Sequence, residues 1–343
     1  MKTYGTFVIS CLIAVLAVYY TMRNVSLSEL MDSFRTLHYS YLLMAGILLV
    51  LLYWARALRW RMLIAPLKTV KTSELYSPLM VGFMASVLPA RIGEIVRAYL
   101  LAKNQQLAFA SSLATILVER LFDLTCLLLL FAWLLVFHSG IFDSGITWSG
   151  FSVQEIAFQF GIVSMVLIAG LMAFIYFLIN YKPKAVAMVR WVLKPVSKKW
   201  KDKVEHLVEA FCEGLEVVRD LKGLTRIGLT TFMVWALMVG SYYPFYWAYD
   251  LQDKSLSSLI LLVVMVCILI TILPTPAFLG SFNAGVLIAL HHILHESEVA
   301  AVSFGMVAWA MNFLVIFLGG FYFIMRDRIS FRQLADEIQE EEI

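Results

Sequence analysis

The chain carries several apolar runs long enough to cross a bilayer, and this alone rules out most folds. About 20 helical residues span a hydrocarbon core of about 30 Å, and within lipid every backbone polar group must be paired inside helices or a closed barrel. Runs of that kind extend from about Tyr4 to Met22, Tyr39 to Leu58, Leu107 to Phe137, Phe158 to Tyr181, Ile227 to Tyr249 and Val299 to Met325. Apolar residues make up 61% of the chain and charged ones 15%, so the pattern predicts an all-α polytopic membrane protein. A net charge of +3 gives no basis for nucleic-acid binding. The four cysteines, Cys11, Cys126, Cys212 and Cys267, lie far apart, which argues against a disulfide framework or a cysteine-based metal site. His291, His292, His295 and Glu296 have helical ligand spacing, yet they sit at a span end without a carboxylate shell, and no metal or cofactor is expected.

Lys and Arg near the span ends set the orientation. Arg56, Arg59, Arg61, Lys68 and Lys71 place the end of the second span inside; Arg56 and Arg59, three apart at the inner end of a helix, could reach an anionic headgroup, and topology-setting and snorkelling account for them equally well. The N-terminus is then also cytoplasmic, and its apolar run, which lacks a small-residue cleavage site, reads as a retained span. Residues 138–155 contain no Lys or Arg and are external, whereas Lys182 to Arg226 carry eleven and are cytoplasmic. In that stretch Val204, Leu207, Val208, Phe211, Leu215 and Val218 keep helical spacing, which predicts an amphipathic helix on the inner surface or against the bundle. Lys198, Lys199, Lys201 and Lys203, beside Trp191 and Trp200, suit anionic headgroups. Arg326 and Arg328 put the C-terminus inside, followed by an acidic cytoplasmic tail at 331–343. Residues 1–330 therefore read as one transmembrane domain of the cytoplasmic membrane, with halves at about 1–137 and 158–328 and a cytoplasmic segment at about 182–226.

Two further apolar stretches are interrupted. Between Leu75 and Ala102, Pro78, Pro89 and Gly93 cut the run into pieces too short to cross, because proline removes a backbone donor and glycine disfavours helix. Between Leu256 and Leu290, Pro274, Pro276 and Gly280 do the same. Each stretch reads as a re-entrant hairpin, although 256–272 is also compatible with a full crossing. Orientation then brings the two hairpins in from opposite faces, each between crossing spans. This is an inverted repeat of broken helices, an arrangement used by secondary transporters.

The charges sit at these interruptions. Arg91, Glu94 and Arg97 share a helical face at spacings of three. Glu119, Arg120 and Asp123 lie about 18 to 24 Å along the run from Leu107 to Phe137 by helical rise. Charges at such depth are costly and mark binding or transport sites. A structural account uses the same residues, with Arg91 and Arg97 pairing with Glu119 and Asp123 to pin the first hairpin. The two hairpin tips are expected to meet and enclose a cavity lined by Arg91, Glu94, Arg97, Glu119, Arg120 and Asn283, and these residues together with Asp123 are the substrate-binding or gating candidates.

Taken together, Pro89, Arg91, Gly93, Glu94 and Arg97, then Glu119, Arg120 and Asp123, then the Pro274 to Gly280 segment, resemble the flippase-like membrane domain of the lysylphosphatidylglycerol synthase transmembrane-region family. The resemblance covers nearly the whole chain. It implies movement of lipids such as aminoacylated phosphatidylglycerol or polyprenyl-linked molecules between leaflets. Ala277 and Phe278 stand where the family usually has two glycines, and Asn283 where a glutamate is common. Lipid aminoacylation is not expected, since the chain ends soon after its last span. The expected partners are anionic or polyprenyl-linked membrane lipids, assembly into a homo-oligomer is left open, and the chain reads as a transporter rather than an enzyme. The rival function is a membrane-embedded transferase acting on polyprenyl-phosphate sugars, for which Glu29 and Asp32 are the early acidic candidates. A third is a regulatory subunit that binds anionic lipid through Lys182 to Arg226.

Overall fold

The computed structural model describes residues 2–87, 92–142, 147–148, 151–192, 204–205, 208–209, 221–273 and 275–330. Pro89, Arg91, Pro274, most of the amphipathic stretch around 204–218 and the acidic tail lie outside the described residues. The described chain is almost entirely helical: α1 (Lys2–Met22), α2 (Leu27–Arg35), α3 (Tyr39–Ile64), α4 (Thr72–Ala85), α5 (Ile92–Gln105), α6 (Phe109–Phe137), α7 (Val153–Asn180) and α8 (Lys182–Val192). There follow α9 (Leu221–Ala248), α10 (Leu256–Ile272), a 3-10 turn (Pro276–Phe278), α11 (Ser281–Leu287) with a π-helical extension (Ile288–Ile293), and α12 (Glu298–Asp327). A two-residue ladder pairs Thr147–Trp148 with Phe151–Ser152. By length and apolar character five described helices can cross a membrane, or six if α1 and α2, bent by 75°, are taken together.

The connection after the first run is a helix rather than a plain loop. Ser26 caps α2 by accepting from the Glu29 amide, while the Glu29 carboxylate accepts from the Ser26 amide at 2.8 Å. The Ser-x-x-Glu spacing is legible as a capping box. The proline reading also needs correction. Pro78 lies inside α4, and Gly93 lies inside α5, so neither cuts a helix; the break falls between Ala85 and Ile92. The two pieces are 14 residues each, about 21 Å by helical rise.

Gly93 shapes this helix pair in another way. A Cβ on Gly93 would lie 2.0 Å from Ser86 Oγ and 2.2 Å from the Gly82 carbonyl, and one on Gly82 would lie 2.7 Å from Arg97 Cβ. The backbones of α4 and α5 thus touch where neither has a side chain, the small-residue contact that brings helices together in lipid. In the second pair Gly285 has the same place, since a Cβ there would lie 2.7 Å from Val266 Cα of α10.

Packing follows one scheme twice. Helix α3 runs along α9. It also packs on α4, α6 and α12, while α9 packs on α10, α12 and α6. From the first pair, α5 packs on α6 and α4 on α12; from the second, α11 packs on α12 and α10 on α6. Exchanging α3, α4, α5 and α6 for α9, α10, α11 and α12 maps each of these contacts onto another. The largest core cluster fills the second set and includes Tyr246, Leu261, Val264, Leu290 and Phe304; a smaller one around Trp60, Leu75, Leu101 and Ile116 fills the first.

If the α4–α5 crossing depends on backbone contact, Gly93→Ala must push the helices apart. Thermal unfolding in detergent should show it destabilised by about 1 to 3 kcal/mol, the usual range for an overpacked core. Gly240→Ala in α9, where a Cβ meets nothing within 4 Å, should be neutral or slightly stabilising.

Candidate functional site

The charges assemble at the junction of α3, α5 and α6. Glu119 is fully buried and its two oxygens are divided between helices: Oε1 accepts from Arg59 Nη2 of α3 at 2.8 Å, and Oε2 from Arg97 Nη2 of α5 at 2.6 Å. Arg59 also donates to both oxygens of Asp123, at 2.5 and 3.1 Å. This two-point geometry is available to a guanidinium and not to an ammonium. Trp60 completes the wall, with its indole N–H donating to Thr115 at 3.0 Å and its ring 3.8 Å from the Arg97 guanidinium carbon. Trp235 of α9 donates to Asp123 at 3.3 Å.

Exposure is graded across this network. The side chains of Arg59 and Glu119 are 0% exposed, Asp123 17%, Arg120 36% and Glu94 33%. Arg120 touches Asp123 and Glu119 at 3.4 Å each and Glu94 at 3.6 Å. Among the described residues three arginines face three carboxylates, so this described group is formally neutral. It is dry and tightly bonded at Arg59 and Glu119, but accessible and loosely bonded at Glu94 and Arg120.

Of the residues singled out by sequence, Glu94, Arg97, Glu119, Arg120 and Asp123 come together here. Arg91 and Pro89 lie outside the described residues, and the cavity wall they would form does too. Asn283 is elsewhere: it is buried in α11 against Gly305 of α12, where a Cβ would lie 2.9 Å from Asn283 Oδ1. Its position beyond a proline break suggested a place among the charges; the helix phase turns it toward its own neighbour instead. Arg59 is the residue that sequence reasoning misassigned. A surface role for it fails because the C-terminal part of α3 is overlaid by α4 and α6, and its spacing from Arg56 and Arg61 carries no sign of burial.

The two interrupted segments do meet. The Ala277 amide donates to the Val87 carbonyl at 3.1 Å, and Trp309 of α12 donates to the Ala277 carbonyl at 2.9 Å. Gly280 has φ of +86°, and a Cβ there would lie 2.8 Å from Ala17 of α1, so the second tip needs glycine both for its backbone and for its neighbour.

The remaining acidic and histidine candidates are engaged structurally. Glu29 is engaged by Ser26, and Asp32 pairs with exposed Arg35 at 3.3 Å, which weakens them as a catalytic acid pair. Glu296 accepts from the Gln252 and Asp253 amides at 2.7 and 3.3 Å, and His291 bonds its carbonyl at 2.8 Å. Among the described residues no group of His, Cys, Asp and Glu is arranged to hold a metal.

Breaking a buried pair leaves an uncompensated charge at a cost of about 3 to 5 kcal/mol. Arg97→Met and Glu119→Gln should therefore each lower the unfolding midpoint in detergent. The double variant should lose less than the sum of the two, by about 0.5 to 3 kcal/mol for groups in contact. Additive losses would show that the bond contributes nothing.

No curated protein and no solved structure matches the chain. The family model described as the lysylphosphatidylglycerol synthase TM region matches residues 7–320. That range takes in both interrupted helix pairs, the α3–α5–α6 charges and all but the last turns of α12. The chain belongs to the lysylphosphatidylglycerol synthase transmembrane-region family.

Proposed function

We propose that the protein moves a phosphate-bearing lipid between leaflets, with the α4–α5 pair as the moving gate and the Glu94–Arg120 contact as the point where the headgroup engages. The observation that carries this reading is the graded network: a neutral set of six charges, sealed at Arg59 and Glu119 and open at a loose 3.6 Å pair. An anionic headgroup can replace Glu94 at Arg120 without stranding any buried charge.

In this reading the two interrupted pairs are re-entrant hairpins of an inverted repeat. Support comes from the exchange symmetry of the packing, from the 14-residue arms of the first pair, and from the tip contact at Val87 and Ala277. Both termini then lie in the cytoplasm, and the membrane is the cytoplasmic one. Further support comes from comparing the two sets of helices. Where α6 is tied to α3 and α5 through Glu119, α12 is tied to α9 by Phe304, whose ring lies 5.4 to 6.5 Å from those of Tyr242, Phe245, Tyr246 and Tyr249. Tyr242 in turn contacts Phe282 of α11 at 6.4 Å. Aromatic contacts suffice to hold one set, and buried ion pairs are often no better for stability than apolar residues of similar volume. The charges in the other set therefore serve a purpose beyond packing. Translocation in this scheme requires the tips to part while the α3–α6 tie persists.

The test is leaflet-resolved transport of labelled phosphatidylglycerol in proteoliposomes. The parent should exceed protein-free vesicles, and Glu94→Gln, which frees Arg120, should change the rate at least several-fold while leaving the unfolding midpoint within a few degrees. Identical transport by parent, variant and empty vesicles would remove the translocase reading and leave the charges as a structural tie.

A further inference from the structure

One cation in this region has no counter-charge. Arg56 lies one turn before Arg59 on α3, and the neutral set of six does not include it. Its Nη2 reaches only the thioether of Met238 of α9, at 3.8 Å, and its Nε is buried with no hydrogen-bond partner. Among the described residues no carboxylate pairs with it. A thioether is a weak acceptor, so this contact does not compensate a guanidinium.

Its surroundings are aromatic. The guanidinium carbon lies 5.3 Å from the Phe83 centroid and 6.0 Å from that of Tyr53. Phe83 is shared with Arg97, whose guanidinium carbon is 6.0 Å away on the same ring. Arg56 thus stands beside the charged network, separated from it by one ring of α4. Cation–π contact offsets part of the desolvation of such a group but leaves its net charge in place. One turn back, Tyr53 donates to Asn312 Oδ1 of α12 at 2.8 Å, which leaves the Asn312 amide donors with no protein partner among the described residues. The uncompensated arginine and a free amide therefore flank the contact of α3 with α4, α9 and α12, on elements that carry both helix pairs.

We infer that Arg56 is an anion-binding residue that takes the phosphodiester of a lipid headgroup, in a site distinct from the self-neutralised network. The inference rests on the lipid-translocase reading for the choice of a lipid phosphate over a free anion. A charged side chain set among packed membrane helices with no carboxylate partner among the described residues points to a functional group, and the planar fork of arginine suits two phosphate oxygens at once. The neutral network cannot accept a net anion without losing one of its own carboxylates, whereas Arg56 can.

The experiment measures thermal unfolding of the purified protein in a zwitterionic detergent with dihexanoyl phosphatidylglycerol, with inorganic phosphate, or with neither, for the parent, Arg56→Met and Arg56→Lys. The inference predicts that phosphatidylglycerol raises the parent midpoint. Arg56→Met should have an equal or higher midpoint without lipid, because an unpaired charge is gone, and should lose most of the lipid-induced rise. Arg56→Lys should keep a reduced rise. A comparable rise with inorganic phosphate alone would place a free anion in the site and overturn the lipid assignment. A lower lipid-free midpoint for Arg56→Met together with an undiminished rise would overturn the site and make Arg56 a packing residue. Absence of a rise in the parent overturns it as well. The two readings fail separately: loss of the rise in Arg56→Met with no transport by the parent removes the translocase and keeps the site, and parent-like binding and transport by Arg56→Met does the reverse.

Discussion

A single carboxylate joins the three helices on which the first half of the structure depends. Glu119 has one oxygen on Arg59 of α3 and the other on Arg97 of α5, so the second arm of the first helix pair is attached to a crossing helix through a group that no water reaches. In a low-dielectric setting such a pair is stable only if both partners stay. That condition makes α3, α5 and α6 a unit with two allowed states, bonded or broken, and little between. The neighbouring Glu94–Arg120 contact is different in kind: at about one-third exposure and 3.6 Å it resembles a surface pair, whose contribution is small and easily exchanged. Function in this account comes from placing the exchangeable pair directly on the fixed one.

The second helix pair supplies the opposing surface, and its tip is under local strain. Ala277 and Phe278 have φ of 52° and 59°, a left-handed conformation that costs a residue with a Cβ about 1 to 2 kcal/mol. The family usually has glycines at these places, where the conformation is free of that cost. Here the turn is held by bonds from its two ends, Ala277 to Val87 and Trp309 to Ala277. Of these two bonds, the one to Val87 is lost if the tips separate, whereas the one from Trp309 of α12 does not depend on the first tip.

Much of this was legible in sequence because bilayer thickness imposes a length on every crossing helix. The apolar runs marked the long helices to within a few residues, and the charges at 94, 97, 119, 120 and 123 stood out against them by polarity alone. What could not be read was helix phase and overlap. Arg59 looked like one of several cytoplasmic arginines, and only the packing of α4 and α6 over the end of α3 buries it. Asn283 sat near a break yet faces Gly305. Gly93 reads in sequence as a breaker yet is a contact point, since a glycine's role depends on a neighbour that sequence does not show. Pro78 was absorbed into α4, where no break occurs. The capping box at Ser26 and Glu29 was readable and overlooked.

The account's central claim is that the two tips must part for lipid to pass. It is tested most directly by tethering them. In a background lacking Cys11, Cys126, Cys212 and Cys267, Val87→Cys and Ala277→Cys can be joined by a short, thiol-cleavable bis-maleimide and leaflet-resolved transport measured in proteoliposomes before and after cleavage. The account predicts that the tether stops transport and that cleavage restores it. Transport by the tethered protein at the rate of the untethered one would contradict it.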